Sequence, residues 1–168
     1  CRLLDKREAL LNRVATDGTH VLLLGFESAE HGVESWMERA LEIALGLGGA
    51  CKDGPVYRIK KPEEAAAPRD EAEERWRTAF LDAPYIVNSM VSLGVIADTF
   101  ETACTWAAFP ALHAAVIRAV REASRQVCGR AALVTCRFTH VYPDGPAPYY
   151  TFVVPGGDRE GGLARWGV

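Results

Sequence analysis

The fold is decided by three consecutive stretches near the C-terminus: AALVTCRFTHVY (residues 131–142), PDGPAP (143–148) and YYTFVVP (149–155). The first and last are rich in β-branched and aromatic residues, the composition that suits a pleated, half-buried surface. Between them, Asp144-Gly145 supplies turn chemistry, and Pro146 and Pro148 limit loop entropy. A hairpin of two long strands is therefore expected. Strand alternation then puts Val134, Cys136, Phe138, His140 and Tyr142 on one side and Leu133, Thr135, Arg137 and Thr139 on the other.

Working outward, residues 107–127 form the best-patterned helix. Pro110 suits a first turn, and Leu112, Val116, Val120 and Ala123 line one face, with Arg118, Arg121 and Glu122 turned away. Residues 93–100 (LGVIADTF) read as a strand entered through Gly94, and Pro84 to Ser92 stays ambiguous. A charged, proline-bearing loop (KKPEEAAAPRDEAEE) leads to a helix over about 69–81, with Ala72, Trp76, Ala79 and Phe80 as its stripe. Val56 to Ile59 reads as a short strand. Residues 35–47 form an amphipathic helix closed by Gly48-Gly49. The short apolar run HVLLLGF (20–26) suits a buried strand, and residues 5–14 a short helix capped by Asp5, packing through Leu10, Leu11 and Val14.

Strands and helices in this order do not alternate as βα units, and no GxGxxG follows a strand, so a dinucleotide-binding Rossmann domain is excluded. The expected class is α+β: an antiparallel sheet with helices packed on one face, related to the ferredoxin-like plan. The 168 residues, 49% of them hydrophobic, read as a single domain with a proper core. With 19 basic against 22 acidic residues and no basic stripe with interleaved aromatics, nucleic acid gains no electrostatic foothold. No apolar run approaches the roughly 20 residues of a membrane span, and CRLLDKREALL lacks the apolar centre of a signal peptide, so a cytoplasmic location is expected. Five widely spaced cysteines, with no CxxC pair and no His at zinc-ligand spacing, read as small buried apolar residues in a reducing compartment, and no metal is expected. The absence of an initiator Met before Cys1 suggests a fragment.

Three places could carry chemistry. Arg137, mid-strand between threonines, needs a partner, which a bound anion, a carboxylate side chain or bulk water would each supply. Tyr149, beside the turn and opposite His140, could carry a proton if a positive charge or a cofactor lies near it. Cross-strand packing would equally account for a tyrosine there. In ADTFETACTW (97–106), Thr99, Glu101 and Thr102 leave a strand just before a helix, where ligands are often gripped, though Thr102 or Thr105 would also serve as a helix cap. His113, at the border of a helix stripe, is read as a packed or solvated residue.

GVIADTFETACTW, TCRFTHVYPDG and YYTF together resemble the C-terminal cap region of FAD-linked oxidases of the vanillyl-alcohol oxidase type. The nearest look is to the alkyldihydroxyacetonephosphate synthases and their bacterial relatives. CRLLD, LLLGFES with its following helix and GG, and RWRTAFLDAPY extend the resemblance over residues 2–155. It implies an FAD-binding domain upstream, carrying the Gly-rich pyrophosphate loop and most of the contacts to FAD, with this cap over the flavin ring and substrate between the two. It also implies a C-terminal histidine cluster beyond Val168. The family's proton-removing Tyr is matched by Tyr149, the Ser of its SFET motif by Thr99, the Arg of RLMD by Arg2 and the Arg of TCR by Arg137. His140 is grouped with Arg2, Thr99 and Arg137 as substrate- or cofactor-binding. Val87 and Asn88 replace the charged pair that follows PY in the synthase, so the resemblance leaves the phosphate-binding role open.

The function expected is the substrate-side cap of an FAD-dependent oxidoreductase or alkyl-transferring synthase. It would act on a hydroxy acid or hydroxyketone-type compound and be inactive without its FAD-binding domain. Homodimers are conceivable through an uncovered, rather apolar sheet face. The alternative is a stand-alone ferredoxin-like module that binds a small ligand or another chain by that face and shows its affinity without flavin.

Overall fold

A computed structural model describes residues 1–57, 78, 89–157 and 159–166. The chain divides into two compact units, one comprising Cys1–Leu23 with Asp70–Val168 and the other Leu24–Arg69.

The first unit holds a five-stranded antiparallel sheet built from β1 (Arg2–Leu4), β2 (Val21–Leu23), β3 (Val95–Glu101), β4 (Leu133–Val141) and β5 (Pro146–Pro155). Their order across the sheet is β2-β1-β4-β5-β3. The hairpin read from sequence is its centre. Because β5 runs antiparallel to both β3 and β4, those two strands are parallel with β5 between them. Parallel strands need a crossover, and α3 (Phe109–Cys128) supplies it, giving the split β-α-β unit of ferredoxin-like folds.

Helix α3 follows from its sequence. Pro110 sits in the first turn, and the helix ends at Gly129, whose φ of 72° is the left-handed conformation that favours glycine. Its apolar stripe (Phe109, Val116, Ile117, Val120, Cys128) packs on a core of Ala132, Val134, Cys136, Phe138, Tyr150 and Val154. Ser124, buried near its end, accepts from the Ala132 amide at 2.8 Å and fixes how the chain turns into β4. Helix α4 (Arg159–Trp166) follows β5.

Helix α1 (Lys6–Leu11) starts at Asp5, whose Oδ1 accepts from the Arg7 and Glu8 amides at 2.9 and 2.7 Å. Its buried residues are Glu8 and Ala9, whereas Leu10 and Leu11, expected to pack, are exposed. The helix is six residues long, too short to present a full stripe, and its inward turn is set by where Asp5 is tied. Strand β2 is shorter than the expected 20–26 and only half-buried, because it forms a sheet edge.

Two hairpin details differ from expectation. Pro146 and Pro148 belong to β5, so the connection is the four residues Tyr142 to Gly145, closed by Tyr142 N–H donating to the Gly145 carbonyl at 3.0 Å. A β-bulge lies between Phe138 and His140: Phe138 faces Pro148 but His140 faces Ala147, leaving Thr139 extra.

The second unit contains α2 (Glu34–Gly46), ended by Gly48 and Gly49 as expected. Its N-terminal turn is preceded by an edge contact between Phe26 and Trp36 and another between His31 and Trp36. None of its residues is fully buried, and Leu47 beyond its end is 84% exposed. Val56 and Tyr57 are not in a strand. Ile59, the 69–81 helix apart from a helical Thr78, and the Val87–Asn88 substitution lie outside the described residues; residues 89–92 are helical.

Among the described residues no helix is long and apolar enough to cross a membrane. All five cysteines are free, but only Cys136 is buried. Cys1 and Cys51 are exposed, and Cys104 and Cys128 are half-buried, correcting the expectation of uniform burial.

Candidate functional site

The antiparallel register sorts the sheet's side chains into two faces. Against α3 lie Ile96, Phe100, Val134, Cys136, Phe138, Tyr150, Phe152 and Val154. The opposite face carries three successive rows: Ala97, Val153 and Leu133; Thr99, Thr151 and Thr135; Glu101, Tyr149 and Arg137. Beyond the first row this face is polar, since each strand puts Thr, Glu, Arg or Tyr at the alternate positions, and it extends across the sheet the polar side that Thr135, Arg137 and Thr139 gave β4 in the sequence.

Alternation along β1 puts Arg2 with Leu4, and Leu4 pairs with Arg137, so Arg2 belongs to the polar face too. The bulge does the same for His140. Simple alternation put His140 with Phe138, but the extra residue Thr139 brings it opposite Ala147, which shares its side with Tyr149. Its Nδ1 lies 4.0 Å from Glu101 Oε1, and its side chain is 66% exposed. Thr139 donates to the same Glu101 oxygen and to the Ala147 carbonyl. The expected pairing of Tyr149 with His140 is thus replaced: Tyr149 faces Arg137, since β5 begins three residues before Tyr149.

All five residues singled out from sequence, Arg2, Thr99, Arg137, His140 and Tyr149, therefore sit on one face. The Arg137 guanidinium stacks on the Tyr149 ring, 4.1 Å from its centroid, a cation–π contact that orients both groups. Of the partners open to Arg137, the structure contains a carboxylate: Glu8, only 2% exposed, takes Arg137 Nη1 at 2.6 Å. Its other oxygen accepts from the Thr135 hydroxyl. Arg137 Nε is buried with no protein partner.

Glu8 is the site residue that sequence reasoning missed. Asp5-x-x-Glu8 is the spacing of a capping box, in which the Glu would return to the Asp5 amide. Here that amide donates to the Cys136 carbonyl at 3.0 Å, while Asp5 Oδ2 accepts from the Cys136 amide at 2.8 Å. Tied in this way, α1 carries Glu8 over β4, between the two side chains it binds.

The adjacent tyrosines have separate environments. Tyr150 is fully buried on the helix side, with its hydroxyl 3.3 Å from His113 Nδ1, so His113 is a packed, hydrogen-bonded residue. Burial raises the Tyr150 phenol well above its usual value, with Cys136 adding to the rise. Burial, reinforced by the Asp5 carboxylate, likewise pushes the Cys136 thiol from 9.0 up to about 12, which leaves it protonated and unreactive near neutral pH. At the strand end, Thr105 accepts from the Ala108 amide at 3.3 Å and so closes the turn before α3, whose N-cap is Ala108 with no side-chain cap, while Thr99 pairs across β3 and β5 with Thr151.

Residues 1–166 match the family described as FAD linked oxidases, C-terminal domain. The chain belongs to that family. The fold has the same relation: a solved alkyldihydroxyacetonephosphate synthase in the P1 crystal form superposes with a TM-score of 0.60 at 18% identity. The match covers 92% of this chain and 30% of that one, so this FAD-linked oxidase C-terminal domain spans less than a third of the solved relative. A solved alkyldihydroxyacetonephosphate synthase in the P212121 form aligns at 25% identity with a TM-score of 0.41, over 52% of this chain and 15% of that one. No curated protein sequence matches the chain.

Proposed function

We propose that this FAD-linked oxidase C-terminal domain is the substrate-side cap of an FAD-dependent oxidoreductase or alkyldihydroxyacetonephosphate synthase-like enzyme acting on a hydroxy acid or hydroxyketone-type compound. The observation that carries the proposal is the gathering of Arg2, Thr99, Arg137, His140 and Tyr149 on one sheet face, with the Arg137 guanidinium over the Tyr149 ring. Family membership supports the flavin.

The residues present fit one side of such a cofactor. No phosphate-cradling glycine loop is in the chain, so the dinucleotide portion needs another domain. The polar face offers hydroxyls, a phenol and the orphaned buried Nε of Arg137, groups suited to a substrate or to the polar edge of a flavin ring. FAD, when bound, supplies the electron-accepting ring. Tyr149 takes the substrate proton once its own hydroxyl proton has passed to solvent, so that the phenolate, beside a cation or the bound cofactor, is the acceptor; its hydroxyl has no hydrogen-bond partner among the described residues. Arg137 and Thr99 orient substrate or flavin, and Arg2 and His140 flank them. The enzyme is cytoplasmic in this reading.

The test is the absorption spectrum of the protein made from its complete reading frame. A bound yellow flavin that bleaches on adding hydroxy acids or hydroxyketone phosphates is the expected result, with bleaching slowed by roughly a hundredfold or more in Tyr149→Phe. A colourless protein overturns the cap reading, and bleaching unchanged in Tyr149→Phe removes the proposed proton acceptor.

A further inference from the structure

Glu8 is the only buried charged residue among those described, and both of its carboxylate oxygens are engaged. Burying a carboxylate is costly unless it is paired, so a position this enclosed has to be matched by a specific partner. Its partners stand two apart on β4 and point to the same face: Thr135, fully buried, and Arg137, whose side chain is 17% exposed. The backbone beneath is fixed independently. The Asp5 carboxylate joins the Glu8 amide to the Cys136 amide, and the Arg7 guanidinium donates to the Val134 carbonyl at 3.3 Å. Glu8 is thus held by α1 and in turn holds one terminal nitrogen of Arg137.

Arg137 has little else to define its position. Nε has no protein partner, and its remaining contact among the described residues is the stack on Tyr149. A long side chain with one anchored nitrogen keeps a ring contact at 4.1 Å only while the anchor holds.

We propose that Glu8 is a positioning residue for this site: by fixing Arg137 Nη1 it keeps the guanidinium stacked on Tyr149 and presents the rest of the fork to whatever binds on the polar face. The proposal rests on Tyr149 as the proton acceptor. It also assigns a second effect to Glu8, since a carboxylate at 2.6 Å largely offsets the Arg137 charge. The site then recognises an anionic group through directed hydrogen bonds more than through net charge.

The test uses the complete protein with isotope-labelled arginine. The Arg137 guanidinium resonance is assigned by its loss in Arg137→Lys, and the displacement it owes to the neighbouring ring is measured as its change in Tyr149→Leu. In Glu8→Ala that displacement should fall by more than half and exchange of the Arg137 Nη1 protons should accelerate by about tenfold, the loss of one charge-assisted hydrogen bond. Glu8→Gln, whose amide oxygen accepts the same bond, should keep most of the displacement. Should Glu8→Ala fail to fold, Glu8→Asp, one methylene shorter, takes its place with the same loss expected. An unchanged displacement in the folded Ala or Asp variant overturns the inference.

Flavin bleaching in the same variants separates this inference from the functional reading. If Tyr149→Phe leaves bleaching intact while Glu8→Ala still releases Arg137, the proton acceptor is wrong and the positioning role survives as geometry. If Tyr149→Phe slows bleaching and Glu8→Ala, with Arg137 released, slows it less than about threefold with KM unchanged, Glu8 does not position the reaction.

Discussion

At the scale of single residues, the polar face depends on a buried ion pair. Removing Arg137 leaves Glu8 without its cationic partner at a position 2% exposed, and a charge stranded in that way is strongly destabilising. Arg137→Met should cost about 3 kcal/mol in urea unfolding, and adding Glu8→Gln should recover a large part of it, because the second change removes the stranded charge. A double variant as unstable as the single one would show that the loss is one of packing. Cys136 and Tyr150 give a pH dependence of definite sign. Both groups titrate higher in the folded protein than in the unfolded chain, so folding favours their neutral forms. Their contribution is intact below pH 9.0, the ordinary thiol value, and is lost as pH climbs from there toward about 12. Urea midpoints measured across that range should fall, and Cys136→Ala should flatten part of the slope. Within the same series, iodoacetamide at neutral pH should label exposed Cys1 and Cys51 and spare Cys136 until the protein unfolds.

At the scale of elements, the four-residue connection between β4 and β5 is as constrained as the strands. Gly145 is buried against the backbone of the segment that leads into α3, where a Cβ would collide with the Cys104 carbonyl and stand 2.9 Å from Thr105 Cα. Trp106 is joined to this turn twice, its amide donating to the Asp144 carbonyl and its indole N–H to the Tyr142 carbonyl, both at 3.1 Å. Gly145→Ala should therefore cost roughly 2 kcal/mol by overpacking, measured by thermal or urea denaturation, and should loosen Trp106, read by its fluorescence. The elements also show what patterning can and cannot carry. The hairpin and α3 were legible because their apolar positions pack on one another as a shared core, whereas β3, exposed from Asp98 onward, was legible only as a short apolar run entered through Gly94. The bulge was not, since nothing in CRFTHV distinguishes a strand with an extra residue from a regular one, and His140 was consequently assigned to the wrong face. Leu10 and Leu11 misled for a related reason: in one and a half turns of helix, two leucines carry less weight than the Asp5 carboxylate that sets its orientation.

At the scale of the whole molecule, family and fold class were legible from ordered motifs spread over the chain, while the site's internal wiring was not. A strand arginine with no partner in its own strand announced that something charged or wet lay opposite. The sequence held no local sign that the something was Glu8, because β1 and α1 meet β4 only through tertiary pairing. The polar face is likewise a property of the assembled sheet: β3 supplies Thr99, β4 Arg137, β5 Tyr149 and β1 Arg2, so no single segment carries it. The sequence read as a single domain, with the charged, proline-bearing run 60–74 as a loop inside it, whereas the chain divides into two compact units.

The Glu8–Arg137 bond joins residues 129 positions apart, and β1 docks on β4 across the same span. A ribosome making roughly 5–20 residues per second therefore releases the N-terminal strand about 6–26 s before its partner exists. During that interval Leu3 and Leu4 have no strand β4 to pair with, and Glu8 has no counter-charge. Closing so long a loop adds an entropic cost that grows only slowly with length, but it delays the event until the hairpin is in place. The polar face is thus completed only once β4 and β5 have been made, so a chain truncated before β4 cannot present a finished half of the site.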